Sequence, residues 1–182
     1  ELGISDSAMV FLFVGSGFAR KGVPQLLRAM TGVRSAYLVV VGEDRELAAM
    51  QRAAGDMKLS GRVHFVGAQR DVKPWYGMAD CFVLPTLYDP FPNAALEAMA
   101  SGLPLITTMQ CGAAELIESG VEGYVCRDAL DVVELARCLN LAAAPGHAAK
   151  MGATARRRVE PYGLDAMALK LTELYAHLIE SK

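Results

Sequence analysis

The feature that most constrains this chain is the alternation of short apolar runs with helix-patterned runs, most of the apolar runs ending in a glycine or an acidic turn. Met9 to Val14, Ala36 to Val41, Val63 to Val66, Cys81 to Leu84, Leu105 to Thr107 and Gly123 to Cys126 read as strands. Val23 to Met30, about Arg45 to Met57, about Val72 to Met78, Asn93 to Ala100, Ala114 to Glu118 and Leu130 to Ala142 read as the helices between them. Continuous Val/Ile/Leu runs belong to strands buried on both faces, and the intervening helices make right-handed crossovers. The fold class is therefore α/β, a doubly wound, mostly parallel sheet with C-terminal helices. Ligands on such sheets bind beyond the carboxyl ends of the strands. Gly15, Gly42, Gly67, Asp89 and Gly112 fall at those ends, so the pattern gathers them around one cleft.

After Pro145-Gly146 the strands stop. Two helical runs remain, His147 to Val159 and Leu164 to Glu180, broken apart by Pro161-Tyr162-Gly163. In the second, Leu164, Met167, Ala168, Leu171, Leu174, Tyr175 and Leu178 recur at helical spacing. The 182 residues suffice for one domain with a sizeable core, and 53% hydrophobic against 21% charged residues excludes a disordered chain. A net charge of -2 gives no support for a nucleic-acid partner, and Arg156-Arg157-Arg158 reads as a solvated helix face. The four cysteines have no CxxC spacing and no histidine at metal-ligand spacing, so no metal site is expected. Reduced thiols follow, with Cys81 packing as a small hydrophobe. No signal peptide and no membrane-length apolar run is present in this sequence. The chain begins at Glu1 and enters a strand-like run almost at once, which leads us to expect a domain excised from a longer protein.

Two segments carry candidate chemistry. In Gly15-Ser16-Gly17-Phe18-Ala19-Arg20-Lys21-Gly22, a glycine-rich turn follows a strand and leads into a helix. Glycines permit close backbone approach, and Arg20 with Lys21 can neutralise a diphosphate. The spacing is neither a dinucleotide fingerprint nor a Walker A loop, and surface charges beside a tight turn are the bland alternative. The second segment runs from Tyr88 to Pro104 and holds Asp89 and Glu97 around a helix start. Glu97 sits in an apolar helical stretch, where a partly buried acid needs a partner. It is not half of a capping box, because the residue three before it is Ala94. Asp89 is either a ligand group or a turn-former before Pro90. Pro92 suits a first helical turn, which leaves the amides from Phe91 to Ala95 facing whatever Asp89 holds. His64, His147 and His177 read as structural, and Trp75 beside Tyr76 as packing.

These motifs together resemble a known family. Lys21-Gly22, Gly42-Glu43-Asp44, Val63-His64-Phe65-Val66-Gly67, Asp71-Val72, Ala79-Asp80, the run from Asp89 through Glu97 to Pro104, and Gly112-x-x-Glu115 are similar to the C-terminal half of group 1 retaining glycosyltransferases of the GT-B fold. Ser16 to Gly22 and Gly67 to Val72 look most like lipopolysaccharide core glucosyltransferases. The resemblance implies a Rossmann-like donor-binding domain over residues 1–160, a crossover helix over 161–182, and an N-terminal acceptor domain absent from this chain. It implies a nucleoside-diphosphate sugar as donor and a glycan or glycolipid as acceptor. Lys21 would contact the diphosphate and act in catalysis with Asp89, which would meet the transferred sugar. Glu97 would hold the ribose. Gly15, Gly17, Arg20, Phe91, Pro92, Asn93 and Ala94 would line sugar and phosphate, and Gln69 and Arg70 the base. No cofactor or metal is implied, since cations and helix amides can carry the leaving-group charge. A cytoplasmic location is implied, with peripheral membrane association of the full-length enzyme left open.

Two departures from the family pattern stand out. Asp89 is one methylene shorter than the usual Glu, and Ser16 occupies the position of a family arginine that Arg20 would have to replace. Two other readings remain open at this point: a nucleotide-sugar epimerase, and a non-enzymatic nucleotide-binding module.

Overall fold

The structure is a computed structural model and describes residues 2–180. Six strands form one sheet: β1 (Met9–Val14), β2 (Ala36–Val41), β3 (Val63–Gly67), β4 (Cys81–Leu84), β5 (Leu105–Thr108) and β6 (Gly123–Cys126). Their order is β3-β2-β1-β4-β5-β6, and every described pairing is parallel. Seven helices accompany it among the described residues: α1 (Val23–Met30), α2 (Leu47–Asp56), α3 (Lys73–Met78), α4 (Asn93–Ala100), α5 (Val132–Ala142), α6 (His147–Val159) and α7 (Leu164–Glu180).

The central strands are buried along consecutive residues, not alternating ones. Phe11, Leu12 and Phe13 of β1, Leu38, Val39 and Val40 of β2, and all of β4 are inaccessible to solvent. Both faces of the sheet are therefore covered, as continuous apolar runs require. The outer strands β3 and β6 keep half-buried positions, as edges do. One face of α1 enters the core through Val23, Leu26, Leu27 and Met30.

Three element starts differ from the sequence pattern, each for a local reason. α2 begins at Leu47 and not near Arg45, because Asp44 Oδ1 accepts the Glu46 N–H at 2.9 Å and holds a turn there. α5 begins at Val132, because Asp131 caps it by accepting the Glu134 N–H at 2.8 Å. The helix expected at Ala114 to Glu118 is a 3₁₀ turn over Gly112–Leu116. Its N-terminus is pinned where the Gly112 N–H donates to the Asp89 carbonyl at 2.9 Å.

α7 buries none of its residues, and Leu164, Met167, Leu171, Leu174 and Leu178 are all exposed. The apolar stripe read from the sequence is thus present and uncovered. Glu1 and residues 181–182, the ends of the two expected segments, lie outside the described residues.

α6 lies against α4, and Gly152 sets their approach: a Cβ there would stand 2.0 Å from the Gly102 carbonyl oxygen. Gly152→Ala should cost about 1–3 kcal/mol, the usual penalty for overpacking a filled interior. Gly77 in α3 is exposed and meets nothing within 4 Å, so Gly77→Ala should be neutral or gain about 0.5–1 kcal/mol. Urea denaturation of both variants checks this, and equal midpoints would refute the packing account.

Candidate functional site

The strand order reverses direction between β1 and β4, and a doubly wound sheet opens its crevice at that point. The loops leaving these two strands are joined by backbone contacts. The Arg20 carbonyl accepts the Leu87 N–H at 2.9 Å and the Thr86 hydroxyl at 3.1 Å. Gly22, with φ +80, opens α1 so close to β4 that a Cβ would lie 1.9 Å from the Pro85 carbonyl oxygen. Only glycine tolerates both the positive φ and the approach. Beyond Tyr88 the chain bridges to the loop after β5. The Asp89 N–H donates to the Gln110 carbonyl at 3.2 Å, and a Cβ on Gly112 would strike the Pro90 carbonyl oxygen at 1.7 Å.

These contacts bring Arg20, Lys21 and Asp89 together. Arg20 Nη1 and Lys21 Nζ each stand 3.4 Å from the same oxygen, Asp89 Oδ2. Arg20 Nη1 also donates to the Tyr88 carbonyl at 2.6 Å. Asp89 is only 8% exposed, so its charge needs these cations. Gly15 closes the group from β1: its N–H donates to the Val41 carbonyl at 2.9 Å, and a Cβ there would touch Lys21 Nζ at 3.0 Å.

Gly17 is differently engaged from what its sequence position suggests. Its N–H and that of Phe18 donate to Asp44 Oδ2 at 2.7 and 3.0 Å. The glycine-rich turn therefore grips a carboxylate of the chain itself, 27 residues away. The Glu46 N–H chiefly, and then those of Phe18 and Gly17, hold the Asp44 carboxyl below the ordinary carboxylate range; Arg45 adds to this and burial opposes it. An open cleft of ≈ 520 Å³ beside the turn is lined by Gly17, Arg20, Asp44 and Arg45, among others.

A second group lies between α3 and α4. Glu97 is exposed, contrary to the partial burial its apolar neighbours suggest, because Ala95, Ala98 and Met99 take the inward face of α4. Its partner is Tyr76, which donates its hydroxyl to Glu97 Oε2 at 2.9 Å. Burial first, and then the Glu97 hydrogen bond and charge, push the Tyr76 phenol well above its ordinary pKa. Arg70, Lys73, Tyr76, Glu97 and Ser101 are among the residues lining a cleft of ≈ 550 Å³. Gln69 is exposed and turns its amide back to the Val66 carbonyl at 2.8 Å.

α4 spans Asn93–Ala100, the range read from the sequence. Pro92 is buried and stands just before the helix, and Asn93 is its first residue. The Ala95 N–H is occupied by the Pro92 carbonyl at 3.0 Å, so it is not available to a ligand. A helix start leaves the amides before it, here those of Asn93 and Ala94, without intrahelical acceptors. Phe91 is 41% exposed beside them. The candidates thus gather in two groups, Gly15, Arg20, Lys21 and Asp89 at the strand reversal, and Arg70 and Glu97 in the second cleft.

Sequence reading left Asp44 and Tyr76 without roles. The signals were an aspartate three residues before a helix start, which favours an Asx turn, and a tyrosine on a core-facing helix position, whose hydroxyl needs an acceptor. His64 lies on the edge strand β3 and stacks on Tyr37, as a structural histidine does, and its buried Nε2 has no hydrogen-bond partner among the described residues. Among the described residues no three or more His, Cys, Asp or Glu side chains form a metal-holding group. No helix among them is long and apolar enough to cross a membrane.

Residues 8–143 match the family model described as glycosyl transferases group 1. The chain belongs to that family. It is 30% identical over 125 residues to the lipopolysaccharide core biosynthesis glycosyltransferase LpsE of Rhizobium meliloti, covering 69% of this chain and 37% of that protein. It is 30% identical over 145 residues to the lipopolysaccharide glucosyltransferase WaaG of Escherichia coli, covering 77% of this chain and 38% of that one. Its fold matches the sucrose-phosphate synthase of Thermosynechococcus elongatus with a TM-score of 0.86 and 30% identity, covering 100% of this chain and 48% of that structure. The chain therefore spans less than half the length of these relatives. Its sheet is the Rossmann-like half of a GT-B glycosyltransferase.

A carboxylate whose folded pKa is lowered stabilises the fold above its unfolded pKa, and that contribution is lost as pH falls through the folded value. Asp44 should therefore contribute to stability above about pH 4 and stop doing so in acid. Asp44→Ala should lower the melting temperature near neutrality and lessen its decline in acid. Thermal melts across that range test it; an unchanged acid slope would mean the loop amides do not depend on this carboxylate.

Proposed function

We propose that this chain is the donor-binding half of a retaining hexosyltransferase. The enzyme takes a sugar from a nucleoside diphosphate and transfers it, with its anomeric configuration kept, to a glycan acceptor, the lipopolysaccharide core or a related glycan. The observation that carries this reading is the convergence of Arg20 and Lys21 on Asp89 where the strand order reverses. The names of the LpsE and WaaG relatives support the lipopolysaccharide acceptor.

In the reaction the bond between the anomeric carbon and the diphosphate oxygen breaks. Charge grows on the leaving diphosphate, where preorganised donors count most. Arg20 and Lys21 carry two positive charges against one on Asp89, which leaves one to attract the diphosphate. The first amides of α4 add donors from the other side. Asp89 is short and fixed by its bridge to the Cys111 loop, and it accepts from a hydroxyl of the transferred sugar. Glu97 accepts from the ribose hydroxyls, and Arg70 stands beside the base. The acceptor is bound by an N-terminal domain, onto which α7 crosses with its apolar stripe. No metal takes part in this scheme, and the enzyme works in the cytoplasm.

Removing each charge separates these roles. Lys21→Ala should weaken UDP and UDP-glucose alike by about 1.5–3 kcal/mol, the range for a hydrogen bond to a charged group. Asp89→Ala should weaken UDP-glucose and leave UDP unweakened, because it releases both cations. Calorimetry in EDTA measures all four affinities, with GDP and GDP-mannose as the parallel pair. Equal losses of nucleotide and nucleotide sugar in Asp89→Ala would show that Asp89 shapes the loop without meeting the sugar. No binding of any of these ligands to the unaltered chain would overturn the donor-site reading itself.

A further inference from the structure

The exposed carboxylate of Glu97 is held by a buried residue from another helix. Glutamate has three rotatable side-chain bonds, and an exposed one samples several rotamers in water. Here Glu97 Oε2 lies 2.9 Å from the Tyr76 hydroxyl oxygen. Tyr76 is only 3% exposed, and its ring packs 6.0 Å from that of Phe82 in β4. The phenol is thus anchored to the sheet, and its hydroxyl emerges where α3 faces α4. A second acceptor, the Ala94 carbonyl, lies 3.4 Å from the same hydroxyl, so the phenol stays beside α4 whichever oxygen takes its proton.

We propose that Tyr76 is a positioning residue for donor recognition: it fixes Glu97 in one rotamer, with one carboxylate oxygen engaged and the other turned to the ribose diol. The proposal rests on the reading of Glu97 as the ribose acceptor. The free oxygen offers two lone pairs to the two neighbouring hydroxyls, and their directions follow the plane of the carboxylate. Tyr76 sets that plane before the ligand arrives, so binding does not have to order the side chain. Tyr76 touches no reacting atom and acts through Glu97 alone. Its effect therefore appears in ligand affinity and in discrimination at the ribose, and kcat is spared.

The test uses this chain with UDP and 2′,3′-dideoxy-UDP, which lacks the diol. The unaltered chain should prefer UDP. Tyr76→Phe keeps the ring against Phe82 and removes only the hydroxyl. It should weaken UDP by about 2- to 12-fold, the cost of ordering one free side chain, and leave dideoxy-UDP unchanged. In the Glu97→Gln background the same substitution should add little, because the pair acts as a unit. Equal affinity of the unaltered chain for both nucleotides would overturn the ribose reading of Glu97. Preference for UDP that Tyr76→Phe leaves intact would overturn the role of Tyr76 alone. If Tyr76→Phe does not fold, carbon NMR of the unaltered chain decides. UDP should shift the Tyr76 Cζ resonance and dideoxy-UDP should not, and a resonance indifferent to UDP overturns the proposal.

Discussion

The geometry of the site depends on one backbone acceptor, the Arg20 carbonyl, which takes hydrogen bonds from both Leu87 and Thr86. That oxygen ties the loop after β1 to the loop after β4 across the point where the sheet reverses. Each such hydrogen bond contributes about 0.5–1.5 kcal/mol net, and it fixes main chain, whereas the ion pairs to Asp89 are made by side chains that the joined loops carry. Gly22 strengthens the join by admitting the Pro85 carbonyl oxygen where any side chain would block it. The Thr108 hydroxyl extends the same stitching, donating to the Thr86 carbonyl at 2.6 Å. With the loops so joined, the largely buried Lys21 faces Asp89, and the half-exposed Arg20 reaches the same oxygen from the solvent side.

Much of this was legible in the sequence because it follows from burial. Strands covered on both faces are apolar except where a buried hydroxyl finds a carbonyl, as Thr107 and Thr108 do, and Phe11 to Phe13 and Cys81 to Leu84 could not be mistaken for solvent-facing strands. The ends of the elements were less legible wherever a side chain caps a turn. Asp44 and Asp131 each delay a helix by about two residues, since an aspartate offers the backbone an alternative to the first helical bond. Long-range partners were not legible at all. Nothing local to Gly17 marks its amide as held by Asp44, and nothing local to Glu97 marks Tyr76. Both pairings exist only after crossovers bring separate βα loops and helices side by side. Glu97 misled for a further reason: apolar neighbours define a buried stripe on a helix, not a buried circumference.

The two acids of the Asp89-x7-Glu97 motif have opposite environments, and this separates their tasks. Asp89 is buried, short and immobilised through its own backbone, so its reach is set by the loop and not by its side-chain torsions. A carboxylate in that position must be matched by cations, which is why Arg20 and Lys21 both turn to one oxygen. Under the proposed reading an incoming diphosphate meets cations already ordered by Asp89, and it shares them without having to gather them. Glu97 is exposed, long and held from outside by Tyr76, so its charge needs no burial to be directed. The short side chain of Asp89 keeps one carboxylate oxygen 3.4 Å from both cations. Under the proposed reading, the depth of that oxygen in the crevice is one determinant of which sugar hydroxyl it meets.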